Sequence, residues 1–244
     1  RGRDMVNSFG KQAVTIALMI MLFTISAVLC QAETTPGPLF KGDESRPADA
    51  IILFDGKDLS NWVIAGTDQP AKWLVKDGYM EVRGGTICTR QRFGDHQLHI
   101  EFWLPDMPNA QGQGKANSGI YLQSRYEIQV LDSYGKTRPD AGDCGAYYGM
   151  APPAVNAARP SEHWQSYDII FHAAKFDAQG NMIVRPRITV FWNGVLIHDN
   201  YEIPHPNGGG FDYDEKKPGP LLLQDHGCPV RYRNIWVRLL NSPK

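Results

Sequence analysis

The sequence predicts an all-β fold, a sandwich of two antiparallel sheets, and three observations carry that expectation. From Ile51 onward, short apolar runs rich in β-branched and aromatic residues are broken by Gly, Pro, Asn or Asp roughly every ten residues. Two of the breaks are hairpin dipeptides, Asp77-Gly78 within WLVKDGYMEV at 73–82 and Asn193-Gly194 within ITVFWNGVLI at 188–197. Both tolerate the positive φ that two-residue turns demand. No convincing helical periodicity appears after the first thirty residues.

Those first residues read as an export signal. Arg1, Arg3 and Lys11 precede an apolar run at 13–29 interrupted only by Thr15, Thr24 and Ser26. Cys30-Gln31-Ala32 places small residues at the −3 and −1 positions of a cleavage site, so 1–32 is expected to be removed and the mature chain to begin at Glu33. The expected location is periplasmic or extracellular, without stable membrane insertion once the signal is gone. Lipid attachment at Cys30 ranks second, because Leu29 is bulkier than the residue that usually precedes a lipidated cysteine. A retained anchor is the other alternative, although the run is short for a hydrocarbon core of about 30 Å.

Removing 1–32 takes away three basic residues and one acidic one, leaving a net charge of −3. Such a balance gives no electrostatic footprint for nucleic acid. Residues 33–50 are rich in Pro, Gly and charge and read as a flexible leader, and 51–241 as one sandwich domain. Cys88, Cys144 and Cys228 are too widely spaced for a zinc or redox motif. Export permits one disulfide with a thiol left over; the alternative is three small buried hydrophobes.

Further strands are expected at LHIEFWL from 98, GIYLQS from 119, YEIQVLD from 126, SYDIIFHAAKF from 166, PLLLQDH from 220 and YRNIWVRLL from 232. The irregular stretches at 105–117, 133–160 and 204–218 are long enough to be functional rims. Because side chains alternate along a strand, Glu127 and Gln129 share a face opposite Ile128 and Val130, and Asp132 would extend that row. His99, Glu101 and Trp103 form a second row, Tyr121, Gln123 and Arg125 a third, Gln224 and His226 a fourth. Taken singly, each row reads as an ordinary solvated sheet face. The recurrence of Gln, Glu, Asn, Tyr and Trp, rather than Lys and Thr, points instead to carbohydrate recognition. Tyr121, Tyr126, Trp103, Tyr147 and Tyr148 are candidate sugar platforms, with core packing the alternative for each.

The candidate acid–base groups are Glu101, Glu127 and Asp132. The Glu-x-Asp-x-x-Glu pattern that sets two carboxylates on one strand is absent, so two-carboxylate glycoside hydrolysis is not signalled. No cofactor is required by any motif; a divalent metal on His226, Glu127 and Asp132 stays open as an alternative without paired-His spacing to support it.

Six motifs in order resemble the 3-keto-disaccharide hydrolase family: LFDGKDLSNW at 53–62, WLVKDGYMEV, FGDHQLHIEFWLP at 93–105, NSGIYLQ at 117–123, YEIQVLD, and GPLLLQDHGCPVRYRNIWVRLL from 219. Departures are mild: Gln165 follows Trp164 where the family often has Asn, and Tyr232 replaces a usual Phe. The resemblance implies a concanavalin A-like jelly roll acting on glycosides already oxidised at C3. It implies Glu127 or Glu101 as the base at C2 and His226 as the acid or the partner of the enolate oxygen. Asn117, Gln123, Gln129, Asp132 and Arg233 would orient hydroxyls, with Tyr121 and Gln224 in the same polar rows. Two rivals stand beside it: a non-catalytic sugar-binding module of the same fold and a conventional two-carboxylate glycosidase. The expected partner under every reading is an oligosaccharide or glycoside; oligomeric state is not legible.

Overall fold

The computed structural model describes residues 46–240; the expected signal at 1–32 and most of the leader lie outside them. In chain order the strands are β1 (Ile51–Phe54), β2 (Trp62–Ile64), β3 (Leu74–Lys76), β4 (Tyr79–Glu81), β5 (Ile87–Phe93), β6 (His96–Trp103), β7 (Ser118–Leu122) and β8 (Tyr126–Val130). There follow β9 (Trp164–His172), β10 (Lys175–Phe176), β11 (Met182–Val184), β12 (Arg187–Trp192), β13 (Val195–Glu202), β14 (Gly219–Leu223) and β15 (Arg231–Leu239). One 3₁₀ turn, Gly112–Gly114, interrupts the strands.

Two antiparallel sheets form the expected jelly-roll sandwich. The larger runs β13-β12-β9-β6-β15-β4-β3, with β1 also on β15, and the smaller runs β2-β5-β14-β7-β8. Alternation decides which side of each strand is apolar. Leu98, Ile100 and Phe102 of β6 are fully buried against Ile120, Leu122, Ile128 and Val130 of the smaller sheet in one core. Aromatic rings tie that core together, as with Phe102 and Tyr167, whose centroids lie 4.8 Å apart.

The hairpin dipeptides behave as the sequence predicts. Asp77 and Gly78 have φ 49° and 81°, Asn193 and Gly194 φ 52° and 80°, which is the mirror-image turn that matches strand twist. The entry motif owes its residues to packing: Trp62 Nε1 donates to Leu53 O at 2.9 Å, and a Cβ on Gly56 would lie 2.9 Å from Gly78 Cα. Cys88, Cys144 and Cys228 are free and buried, so the chain uses them as small hydrophobes and not as a disulfide.

Two strand rows end earlier than alternation suggests. β7 stops at Leu122 because Gln123 and Ser124 turn with φ 52° and 58°. β8 stops at Val130, before Asp132. Arg125, completely buried, then clamps the 204–218 strap to the sheet: Nη1 donates to Gln123 Oε1 at 2.9 Å and Lys217 O at 3.0 Å, and Nη2 to Asp212 Oδ1 at 3.2 Å.

Candidate active site

Residues from every strand of the smaller sheet meet in one cross-strand row on its outer face. Glu127 pairs with Tyr121, Tyr121 with Leu222, Leu222 with Cys88 and Cys88 with Val63. Val63, Cys88, Tyr121 and Leu222 form an apolar cluster separate from the main core. Glu127 ends that row as its carboxylate.

Glu127 is only 3% exposed. Burial pushes its carboxyl up to about 7, and a hydrogen bond from the Tyr121 hydroxyl pulls only weakly in the other direction. Tyr121 is raised well above an ordinary phenol by burial and by the neighbouring Glu127 charge, with Tyr213 and Tyr148 adding to the rise. Its hydroxyl also accepts from Gln224 Nε2 at 3.1 Å. Two glycines make room for the pair: a Cβ on Gly119 would lie 2.9 Å from Tyr121 Cε2 and collide with Glu127 Oε1, and one on Gly209 would lie 2.8 Å from the Tyr121 hydroxyl. A carboxylic acid with its pKa near neutrality beside a phenol can accept and return a proton at working pH.

Flanking the pair on the same face is an amide network. Asn117 Nδ2 donates to Gln113 O at 2.8 Å and Gln113 Oε1 at 3.1 Å, and Gln129 Nε2 donates to the same Oε1 at 2.9 Å. Asn117 Oδ1 has no partner among the described residues. Asn207 of the strap fixes the back of the site, accepting from Glu127 N at 2.7 Å and donating to Tyr148 O at 2.5 Å.

Residues 49–238 match the 3-keto-alpha-glucoside-1,2-lyase-like domain. The chain belongs to that family. A 3-keto-disaccharide hydrolase of Bacteroides thetaiotaomicron is 26% identical over 241 residues, 80% of this chain and 81% of the relative. A Parabacteroides distasonis crystal structure, provisionally described as a glycosyl hydrolase, superposes with a TM-score of 0.74 at 40% identity, covering 84% of this chain and 90% of that one. A second structure from the same organism, similarly described, gives 0.57 at 19% identity over 79% and 94% of the two chains. At that identity it speaks for the fold alone.

Within this 3-keto-glucoside lyase-like chain, the expected residues do not all share one face. Glu101 and Arg233 lie on β6 and β15 of the larger sheet, pointing away from the core opposite to Glu127. Glu101 is also fully engaged: Arg233 Nε donates to Oε2 at 2.6 Å and Asn234 Nδ2 to Oε1 at 2.8 Å. Burial pushes its carboxyl up, but these partners and His99 outweigh it and hold Glu101 at about 2. Arg233 stacks on Trp164, its Cζ 4.0 Å from the ring centroid. Beneath them His99 Nδ1 meets Asp168 Oδ1 at 2.7 Å. Burial opposes the imidazolium, yet Asp168 and Glu101 raise it to about 9.

The early strand ends correct three further expectations. Gln123 turns into the protein, donating to Phe93 O at 2.9 Å and accepting from Arg125. Asp132 is consumed by Lys115 Nζ and Ser161 Oγ, both at 2.9 Å. His226 is exposed in the loop after β14 rather than in strand register with Gln224. The trio His226, Glu127 and Asp132 therefore does not converge, and no cluster of three metal-ligating side chains occurs among the described residues. Of the expected platforms, Tyr126 and Tyr147 are core residues and Trp103 lies on the other sheet under Arg231; Tyr148 remains beside Glu127, its N–H bonded to Glu127 O at 3.2 Å.

The sequence reading missed Asn207, Gln113 and Tyr213. Asn207 had a local signal in PNGGG at 206–210, a glycine run that lets backbone approach the sheet: a Cβ on Gly210 would clash with Ser124 O.

Proposed function

We propose that the chain is an exported carbohydrate hydrolase that cleaves glycosides carrying a ketone at C3, with Glu127 as the base. The ketone acidifies the C2 proton. Glu127 takes that proton, the electron pair forms the C2–C3 enolate, and the C1–O bond breaks as the enolate collapses. The leaving oxygen takes the proton that Glu127 removed from C2, which returns the carboxylate to its base form, and water then adds across the C1–C2 double bond to complete a net hydrolysis.

The carrying observation is the buried Glu127 carboxyl, held at about 7, paired to Tyr121 and without a cation beside it among the described residues. Tyr121, oriented by Gln224, donates to the developing oxyanion, a role that its buried hydroxyl suits better than the exposed His226. Asn117 and Gln129 orient sugar hydroxyls, Asn117 through its unpartnered Oδ1. A conventional glycosidase needs its two carboxylates about 5–10 Å apart across one bond. Glu101 and Glu127 instead face away from each other across the whole sandwich, whose sheets alone stand about 10 Å apart.

The test compares wild type, Glu127→Gln and Glu101→Gln on a 3-keto-glucoside and on the unoxidised glucoside. Turnover of the 3-keto substrate alone, lost in Glu127→Gln and kept in Glu101→Gln, is expected. Full activity in Glu127→Gln removes the assignment, turnover of the unoxidised glucoside favours ordinary hydrolysis, and retention without product favours a binding module.

A further inference from the structure

A cavity of about 720 Å³ opens between strands β2, β5 and β14 of the smaller sheet and the strap. Its size is that of a small-molecule site. It is not an extension of the row at Glu127, because its lining includes none of Glu127, Tyr121 and Leu222. By register, Cys88 in the lining stands three strands from Glu127, about 14 Å. Tyr121 and Leu222, the residues between them, are buried.

A bulge shapes the cavity. Cys88 pairs with Leu222 and Arg92 with Pro220, so β5 takes four steps where β14 takes two. Such an insertion bends the strand and re-aims a side chain. Thr89 secures the irregular backbone, its hydroxyl donating to Gln91 O at 2.6 Å and accepting from Leu221 N at 3.0 Å. Arg90, carried on the bulge, lines the cavity. Its Nε donates to Ser60 O at 3.0 Å, which fixes the guanidinium, while its Nη groups have no partner among the described residues. Asp68, in the bend after β2, lines the same cavity, and its carboxylate likewise has no partner among the described residues.

The other charges of the lining are already paired. Arg92 is bound to Asp212, which also holds Arg125, and Asp214 is bound to Lys217. One carboxylate and one guanidinium are left over, the first an acceptor only and the second a donor only. An anionic ligand is repelled by Asp68 and a cationic one by Arg90. A neutral polyhydroxyl ligand can donate to Asp68 and accept from Arg90 through charge-assisted hydrogen bonds. The grip of Arg92 and Arg125 on Asp212 also fixes the strap at the two rings that flank it. Phe211 and Tyr213 both line the cavity and are 40% and 52% exposed, so their faces are open to cover the C–H face of a pyranose.

We propose that this cavity is a second carbohydrate site, one that holds a neutral hexose unit without reacting it. Asp68 accepts from the sugar hydroxyls, Arg90 donates to them, and Phe211 and Tyr213 supply the ring faces. The site stands whichever carboxylate is the base.

Calorimetry with methyl glucoside at pH 6 tests it, with glucuronate and glucosamine as the anionic and cationic counterparts. Wild type is compared with Asp68→Ala, Arg90→Ala and Phe211→Ala, and with Gln129→Ala, which alters the row at Glu127 instead. Asp68, Arg90 and Phe211 are exposed, so the three cavity variants should keep the wild-type melting point. The expected result is that methyl glucoside binds wild type more tightly than either charged sugar, and that its Kd rises about tenfold in each cavity variant, the loss of one charged hydrogen bond or one ring face, and holds in Gln129→Ala. No binding of methyl glucoside, tighter binding of a charged sugar, or a Kd indifferent to both Asp68 and Arg90 each overturns the site. A Kd that rises in Gln129→Ala and not in the cavity variants overturns it as well, by placing the sugar at Glu127.

Discussion

Gly119 supplies the space that the Glu127 carboxylate occupies. The two residues are on neighbouring strands of the smaller sheet, and a Cβ on Gly119 would collide with Glu127 Oε1 and crowd the Tyr121 ring. Gly119→Ala must therefore move the base or the phenol, since the β7 backbone is fixed on both sides by β8 and β14. Overpacking of this kind costs about 1–3 kcal/mol. The variant is expected to stay folded by circular dichroism with a lowered melting point, and to lose at least about a hundredfold in kcat on a 3-keto-glucoside. Wild-type kcat in a folded Gly119→Ala protein would show that the carboxylate is not held for chemistry.

Glu127 links activity and stability through one titration. With its carboxyl raised to about 7 from 4.5, the base form appears as pH rises, so kcat/KM should climb through pH 7. Stability runs the other way. The folded chain holds a proton that the unfolded chain has released between pH 4.5 and 7, so stability falls across that window as pH rises. The full loss is on the order of 3 kcal/mol. Glu127→Gln is thus expected to be inactive yet more resistant to urea than wild type at pH 8, with the advantage absent at pH 4. Equal urea midpoints for the two proteins at pH 8 would contradict the strained, buried carboxylate.

The sequence made some of this legible and concealed the rest for physical reasons. The Asp77-Gly78 and Asn193-Gly194 turns and the alternation of β6 and β8 are local, and they were readable because turn chemistry and pleat act over a few residues. Which sheet a strand joins is decided by partners far along the chain, β6 with β9 and β15, β8 with β7. Glu101 and Glu127, read as rows of separate strands and as alternative bases of one site, are put on opposite faces of the sandwich by that pairing. Gln123 was misplaced because positive φ at a non-glycine is invisible in sequence, and here it is enforced by bonds from Gln123 to Phe93 and from Ser124 to Pro220. Asn207 carries no periodic signal at all; only the glycines after it hint that the strap crosses the sheet.

The larger sheet's outer cluster is expected to act on stability alone. His99 is raised from 6.5 to about 9 by its two carboxylate partners, against the cost of burial. Its stabilising charge is fully present below pH 6.5 and is lost as pH rises through 9. Asp168→Asn removes one partner of a pair whose side chains are 4% and 3% exposed. Breaking such a pair costs about 3–5 kcal/mol. Chemical unfolding at pH 6 should show that loss, while KM for a 3-keto-glucoside stays at the wild-type value. A raised KM without a change in unfolding midpoint would place this cluster in substrate binding.

Asn207 ties the strap to the catalytic strand through three bonds: its N–H to Arg125 O at 2.9 Å, its Oδ1 from Glu127 N and its Nδ2 to Tyr148 O. Asn207→Ala keeps the backbone bond and removes the other two, leaving a buried N–H at Glu127 and a carbonyl at Tyr148 unsatisfied, each costing about 1–3 kcal/mol. Asn207→Asp can still accept from Glu127 N but places a second negative charge beside the base. That charge raises the Glu127 pKa further. The alanine variant should therefore lose stability, while the aspartate variant should shift the rise of kcat/KM to higher pH. A profile that stays at pH 7 in Asn207→Asp would mean that the group titrating in the rate is not Glu127.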